Sequence, residues 1–299
     1  MKLLKSAFIC ACLAFSSCTM FQEPVTIQVY FANDCAQQEQ EEAHQIIIER
    51  IKFLYKVKDF TMPKTGMFSV TYFPEKKTDI LSNLLSEKGE IIIHESVFAS
   101  MVSDILLDNF DMTSETRHPL ANSILSTRAE YPIDSPVLVA ANENNKAYID
   151  SLFQSEEIQK LIPDDVILVW NEESRFENVY YELFTLKKSN FLPLNKETVK
   201  KIKPQKMRNS SDTHLHIELH PEFHQVWADF TRNSMYRCVP FVCDGKIISY
   251  PIVNAEITGG KLAIFGNFSA DELLTMIGFV ESSVLNCPVN LSYLVQNGK

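Results

Sequence analysis

Between residues 25 and 94 the spacing of the apolar residues switches from a period of two to a period of 3.6 and back, twice, which confines this stretch to a layered arrangement of strands and helices. Residues 25–31 alternate as a half-buried strand does. Over residues 36–56, Ile47, Ile51 and Leu54, with Ile48 and Tyr55, fall on one helical face, and residues 37–42 place polar and acidic groups at the positive end of the helix dipole. Strands over 59–62 and 67–73 flank the turn Lys64-Thr65-Gly66. Thr78 is placed to cap a helix over 79–87, Gly89 ends it, and residues 90–94 return as a strand.

The order strand, helix, strand, strand, helix, strand is the split βαβ pattern of a ferredoxin-like sandwich. Residues 97–107 read as a helix, and residues 111–134, with Thr, Ser, Asn and two prolines, read as surface chain. A strand over 137–140, a helix over 145–161 and strands over 166–170 and 179–186 follow, with a polar turn at 171–178. Residues 213–219 alternate strictly, and Pro221 suits the first turn of a helix over 222–232 that buries Phe223, Val226, Trp227 and Phe230. Strands over 237–243 and 246–250 meet at Asp244-Gly245, a two-residue hairpin turn of type I′ in which both central residues need positive φ. Residues 252–257 extend the sheet, Gly259 and Gly260 turn the chain, 262–265 return, a helix spans 269–282, and 289–295 is the last strand. The expected fold class is α+β, with two ferredoxin-like sandwiches joined by an irregular connecting region.

Lys2 and Lys5 precede an apolar run over 7–15 that gives way to Ser16 and Ser17 before Cys18. The run is too short to span a bilayer, which needs about 20 apolar residues. It reads as an export signal, and Phe15-Ser16-Ser17-Cys18 resembles a lipoprotein cleavage junction. Residues 1–17 are then the signal, Cys18 carries the lipid that holds the protein on the membrane, and residues 18–24 are a tether. No later segment is long enough to span a bilayer, so the lipid does the anchoring. The formal net charge of −10 over 299 residues argues against nucleic acid as a partner. The lysines between 196 and 208 read as a solvated linker.

The C-terminal third carries an ordered set of short motifs: Phe230-Thr231, Val239-Pro240-Phe241-Val242, Asp244-Gly245-Lys246-Ile247-Ile248-Ser249, Pro251-Ile252-Val253, Ile257-Thr258-Gly259-Gly260 and Ile264-Phe265-Gly266-Asn267-Phe268-Ser269. In that order they resemble the head subdomain of the first large periplasmic domain of SecD. Upstream, residues 43–53 with Ile48, Arg50 and Ile51 are similar to the first helix of the SecD base subdomain, and 67–95 to its strand, helix and strand. His118-Pro119-Leu120, residues 161–170 and residues 181–187 resemble the longer periplasmic region of the fused SecD-SecF form. The resemblance implies a base-like unit over 25–105, a connecting region over 106–178 and a head-like unit over 179–299. It also implies structural turns at Asp244, Gly245, Gly259, Gly260 and Gly266, and a periplasm-facing module that contacts exported polypeptides or envelope-assembly machinery. The candidate contact strands are Lys246, Ile247, Ile248 and Ser249, and Lys261, Leu262 and Phe265, whose edges could take a guest strand. The family's proton path lies in membrane-spanning helices, so the resemblance is confined to the periplasmic portion.

Other chemistries have less support. His214, His216, Glu218 and His220 share one face of a strand, where His214 and His216 could chelate a metal ion, and a metal-binding or regulatory lipoprotein that kept the fold is the rival function. Adjacent acid pairs such as Asp164-Asp165 diverge. No nucleophile elbow and no phosphate-cradling glycine motif occurs, so no enzymatic activity and no cofactor is expected. Cys35, Cys238, Cys243 and Cys287 face an oxidising compartment. Cys35 and Cys287 lie in loop-like positions, and the pairing among the four stays open.

Overall fold

The computed structural model describes residues 23–64, 66–73, 80–113, 117–175, 178–207 and 213–294. The export signal, Cys18 and the Thr78 cap lie outside them. The first unit runs β1 (Val25–Phe31), α1 (Gln37–Leu54), β2 (Lys56–Phe60), β3 (Met67–Phe73) and α2 (Ile80–Ser86). Ile27, Val29 and Phe31 of β1 and Phe68, Val70 and Tyr72 of β3 alternate inward under Ile47, Ile48 and Ile51 of α1.

The chain then leaves this unit through β4 (Ile91–Ser96), α3 (Ala99–Asn109), α4 (Pro119–Glu130), β5 (Val137–Asn142), α5 (Glu143–Phe153), α6 (Glu156–Gln159), β6 (Val166–Arg175) and β7 (Asn178–Pro193). Here the structure corrects two expectations. Residues 119–130 are helical: Pro119 sits at the first helical position, where its missing N–H costs nothing, and the His118 ring accepts from Leu120 N at 3.2 Å. Together α3, α4, α5 and β5 bury Val102, Leu106, Leu120, Ile124, Val139 and Ile149, so the connecting region has its own core. The polar residues 171–175 and 178 belong to strands, because β6 and β7 pair continuously from Val166–Lys187 to Arg175–Asn178.

The last third contains β8 (Val199–Lys206), β9 (Thr213–Leu219), a 3₁₀ turn over Pro221–Phe223, α7 (His224–Asn233), β10 (Phe241–Cys243), β11 (Lys246–Ser249), β12 (Lys261–Ile264), α8 (Ala270–Glu281) and β13 (Val289–Leu294). The lysine-rich segment expected as a linker is thus strand β8, antiparallel to β9. It is an edge strand, where Pro204 and exposed lysines are tolerated and discourage unwanted pairing. Residues 252–257 form isolated bridges at Ile252 and Val253, not a strand. In α7, Trp227 and Phe230 are buried, whereas Val226 faces solvent.

Three sheets result: β13-β1-β3-β2, β11-β10-β4-β7-β5 with β6 paired to β7, and β12-β9-β8. The α+β class is as expected, but the strands are shared out differently. β4 does not close the first sandwich; it pairs with β10 and β7 and is buried along nearly all its length, as a central strand must be. β13 takes that place beside β1, in the order of a ferredoxin-like sandwich interrupted by everything between α2 and α8. Helix α2 joins the two halves: Leu81 and Leu85 enter the first core, Ile80 and Leu84 the core shared by the other two sheets.

Candidate functional site

The candidate strands lie at the ends of two different sheets, and their surroundings differ. The β10–β11 hairpin turns at Asp244 and Gly245, with φ of +46° and +77°, as a type I′ turn requires. Asp244 also anchors the hairpin: its carboxylate accepts from Gly89 N at 2.9 Å and Glu90 N at 2.7 Å, which docks the turn on the α2–β4 junction. At that junction Arg50 is fully buried. Its guanidinium donates to the carbonyls of Leu84, Glu87, Lys88 and Ser283 and to Ser282 Oγ, at 2.8–3.1 Å, and so gathers the C-terminal ends of α2 and α8. Burial lowers the Arg50 pKa to about 10, partly offset by Asp244 and Glu87.

β11 pairs with β10 on one side and lies against β6 on the other without a ladder. Ile247 is buried with Val242, Val169 and Leu186, whereas Lys246 and Ile248 line a cleft of about 510 Å³ between the hairpin, α2 and α8. Cys243 stands in the same cleft with its thiol pushed up to about 12 by burial. Burial likewise raises the Cys238 thiol to about 11, so neither of these free cysteines is an activated nucleophile.

β12 is more open. Among the described residues it pairs with β9 only, Lys261 opposite Glu218 and Ile264 opposite Leu215. Gly260 O accepts from Leu219 N at 2.8 Å. Hydrogen-bonded pairs alternate along an antiparallel ladder, so Leu262 and Ile264 bond to β9 while the main-chain groups of Lys261 and Ala263 point away from it. Lys261 and Phe265 have exposed side chains, but Leu262 is buried and can offer a guest nothing beyond its place in the backbone. Gly260, at φ +61°, is held where any Cβ would meet the His224 ring at 2.1 Å. That contact fixes the approach to β12. Gly259 and Gly266 adopt no positive φ.

On β9, Leu215, Ile217 and Leu219 are buried and His214, His216 and Glu218 share the opposite face. The two histidines stand in unlike surroundings. The His214 ring stacks on Phe265 at 4.8 Å and its Nδ1 is buried, which withholds one of its two nitrogens. Burial, with Lys203 and Lys261 alongside, lowers the His216 pKa. Among the described residues no group of three or more His, Cys, Asp or Glu side chains could hold a metal ion. Sequence reading missed the lysines of β8 as part of this face. Val199 and Ile202 stand three apart, so no period of two marks the segment as a strand.

Cys35 and Cys287 form a disulfide with a Cα–Cα distance of 5.8 Å, joining the turn after β1 to the residues before β13. Among the described residues no helix is long and apolar enough to cross a membrane.

Residues 180–285 match the family model described as SecDF, P1 head subdomain. The protein translocase subunit SecD of Dictyoglomus turgidum is 34% identical over 77 residues, which cover 26% of this chain and 19% of that protein. SecD of Rhodothermus marinus is 23% identical over 150 residues, 48% of this chain and 24% of the relative. The chain therefore spans about a fifth to a quarter of the length of these curated relatives. The crystal structure of SecDF in its super-membrane-facing form superposes on 91% of this chain and 30% of its own, with a TM-score of 0.50 and 14% identity, a likeness of fold. The resemblance to the SecD and SecDF periplasmic domain read from the sequence is shown by these matches.

Proposed function

We propose that this relative of the SecDF periplasmic domain is a non-enzymatic, periplasm-facing module held to the membrane by a lipid on Cys18, and that it contacts extended segments of exported polypeptides. The observation that carries the reading is the open edge of β12 within the region matching the head subdomain. An extended guest can satisfy its own N–H and C=O groups against Lys261 and Ala263, and main-chain pairing of this kind tolerates many sequences. β11 is the secondary candidate, since β6 lies along its outer side.

Photo-crosslinkers at Lys246, Lys261 and Phe265 in cells test the contact. Capture of many newly exported chains, strongest at Lys261 and Phe265, is the expected result, and capture of one abundant folded protein or of nothing overturns it. The anchor is tested separately by intact mass of the membrane fraction. Loss of residues 1–17 with an acyl addition on Cys18 is expected, and a Cys18→Ser form that stays equally membrane-bound contradicts it.

A further inference from the structure

The open face of the β8–β9–β12 sheet carries its side chains in rows. Lys201, Glu218 and Lys261 lie opposite one another in one row, and Lys203, His216 and Ala263 in the next. Lys200, in the bulge before Lys201, donates to Glu218 at 2.8 Å. Lys200, Lys201 and Lys261 thus surround one carboxylate that Lys200 already engages, with Lys203 beside His216 in the next row, on a chain whose formal net charge is −10. α7 and α8 cover the other face, where Trp227, Phe230, Met276 and Ile277 pack on Leu215, Ile217 and Leu262. The lysines outnumber the one carboxylate, so the face carries net positive charge and is stabilised by whatever brings negative charge to it.

The free edge and the basic face belong to the same sheet and meet at Lys261. A guest strand added at β12 places every second side chain on the lysine-bearing face, directly beside Lys261. Lys201 and Lys203 lie two strand spacings from β12, on the order of 10 Å, and contribute a field there rather than a contact. Carboxylates spaced two residues apart along an extended chain match both the period of the face and its sign. A lipid headgroup could answer the charge but would leave the outward main-chain groups unused.

We infer that the guest preferred by β12 is an acidic extended peptide segment, with carboxylates at alternate positions, held by the main chain of Lys261 and Ala263 and by the lysines of this face. The inference rests on the strand-acceptor reading above, to which it adds a selectivity. Binding of two labelled peptides to the full chain tests it, one alternating Glu with Val and one with Gln in place of each Glu. At low salt the acidic peptide should bind about tenfold tighter, and high salt should remove the difference. The exposed substitutions Lys261→Gln and Lys203→Gln, made together, should abolish the preference and leave the Gln peptide unaffected. Ala263→Pro removes an outward N–H from an edge strand and should weaken both peptides, with the melting temperature reporting whether the fold is kept. Equal affinity for the two peptides overturns the selectivity while the strand-acceptor reading stands; binding of neither overturns both. Vesicles of anionic phospholipid that bind as well as the acidic peptide, or acidic-peptide binding that is undiminished in folded Ala263→Pro, mean simple anion adsorption and overturn the inference.

Discussion

At Gly245 a single dihedral angle decides the outcome of substitution. φ is +77° and a Cβ built there has nothing within 4 Å, so any cost is conformational and not steric. Gly245→Val should lower stability by about 1–2 kcal/mol, whereas Gly245→Asn, which tolerates positive φ, should cost less. Equal melting temperatures for the two variants would refute the turn assignment. Two buried histidines set a pH dependence. His94, whose ring nitrogen Nδ1 lies 3.0 Å from Lys187 O, and His44 have pKa values lowered by burial from the ordinary 6.5. The unfolded chain therefore takes up protons first as pH falls. Their contribution is fully present above pH 6.5 and is lost as pH drops below it toward their lowered folded values. The urea midpoint should fall between neutral and mildly acidic pH, and His94→Gln should reduce that fall. An equal fall in the variant would show that His94 has no part in it.

Among the elements, β13 holds the first sandwich together because it returns to β1 after the whole intervening chain, and the Cys35–Cys287 disulfide secures that return across 252 residues of sequence. A cross-link over so long a loop constrains the unfolded chain strongly, so Cys35→Ser should cost about 2–5 kcal/mol. Denaturant midpoints with and without reductant check this, and no change on reduction would count against it. The strands and helices that bury one face were legible in the sequence: β1, α1, β3, β9 and α8 all lie close to where periodicity puts them. β8 was not, because an edge strand rich in lysine carries too few apolar residues to show a period. α4 was hidden by its opening His118-Pro119, which reads as a breaker unless the proline is recognised at the first helical position. The partners of β4 and β13 depend on contacts across nearly the full chain, which no local pattern encodes. At the candidate site the β12 edge was legible as a strand, but its basic face came from register with β8.

On the scale of the whole molecule, α2 and Arg50 tie the ferredoxin-like sandwich to the other two sheets, which are thus fixed to it at several points. The free edge of β12 is the feature on which the proposed function turns. Amide-resolved NMR of the full chain with an unfolded, extended polypeptide tests this most directly. The main-chain amides of Lys261 and Ala263 should be perturbed and protected from exchange, with Leu262 and Ile264 already protected by β9. Perturbation confined to other surfaces, or protection of Lys261 and Ala263 that is the same with and without the polypeptide, would contradict the strand-acceptor role.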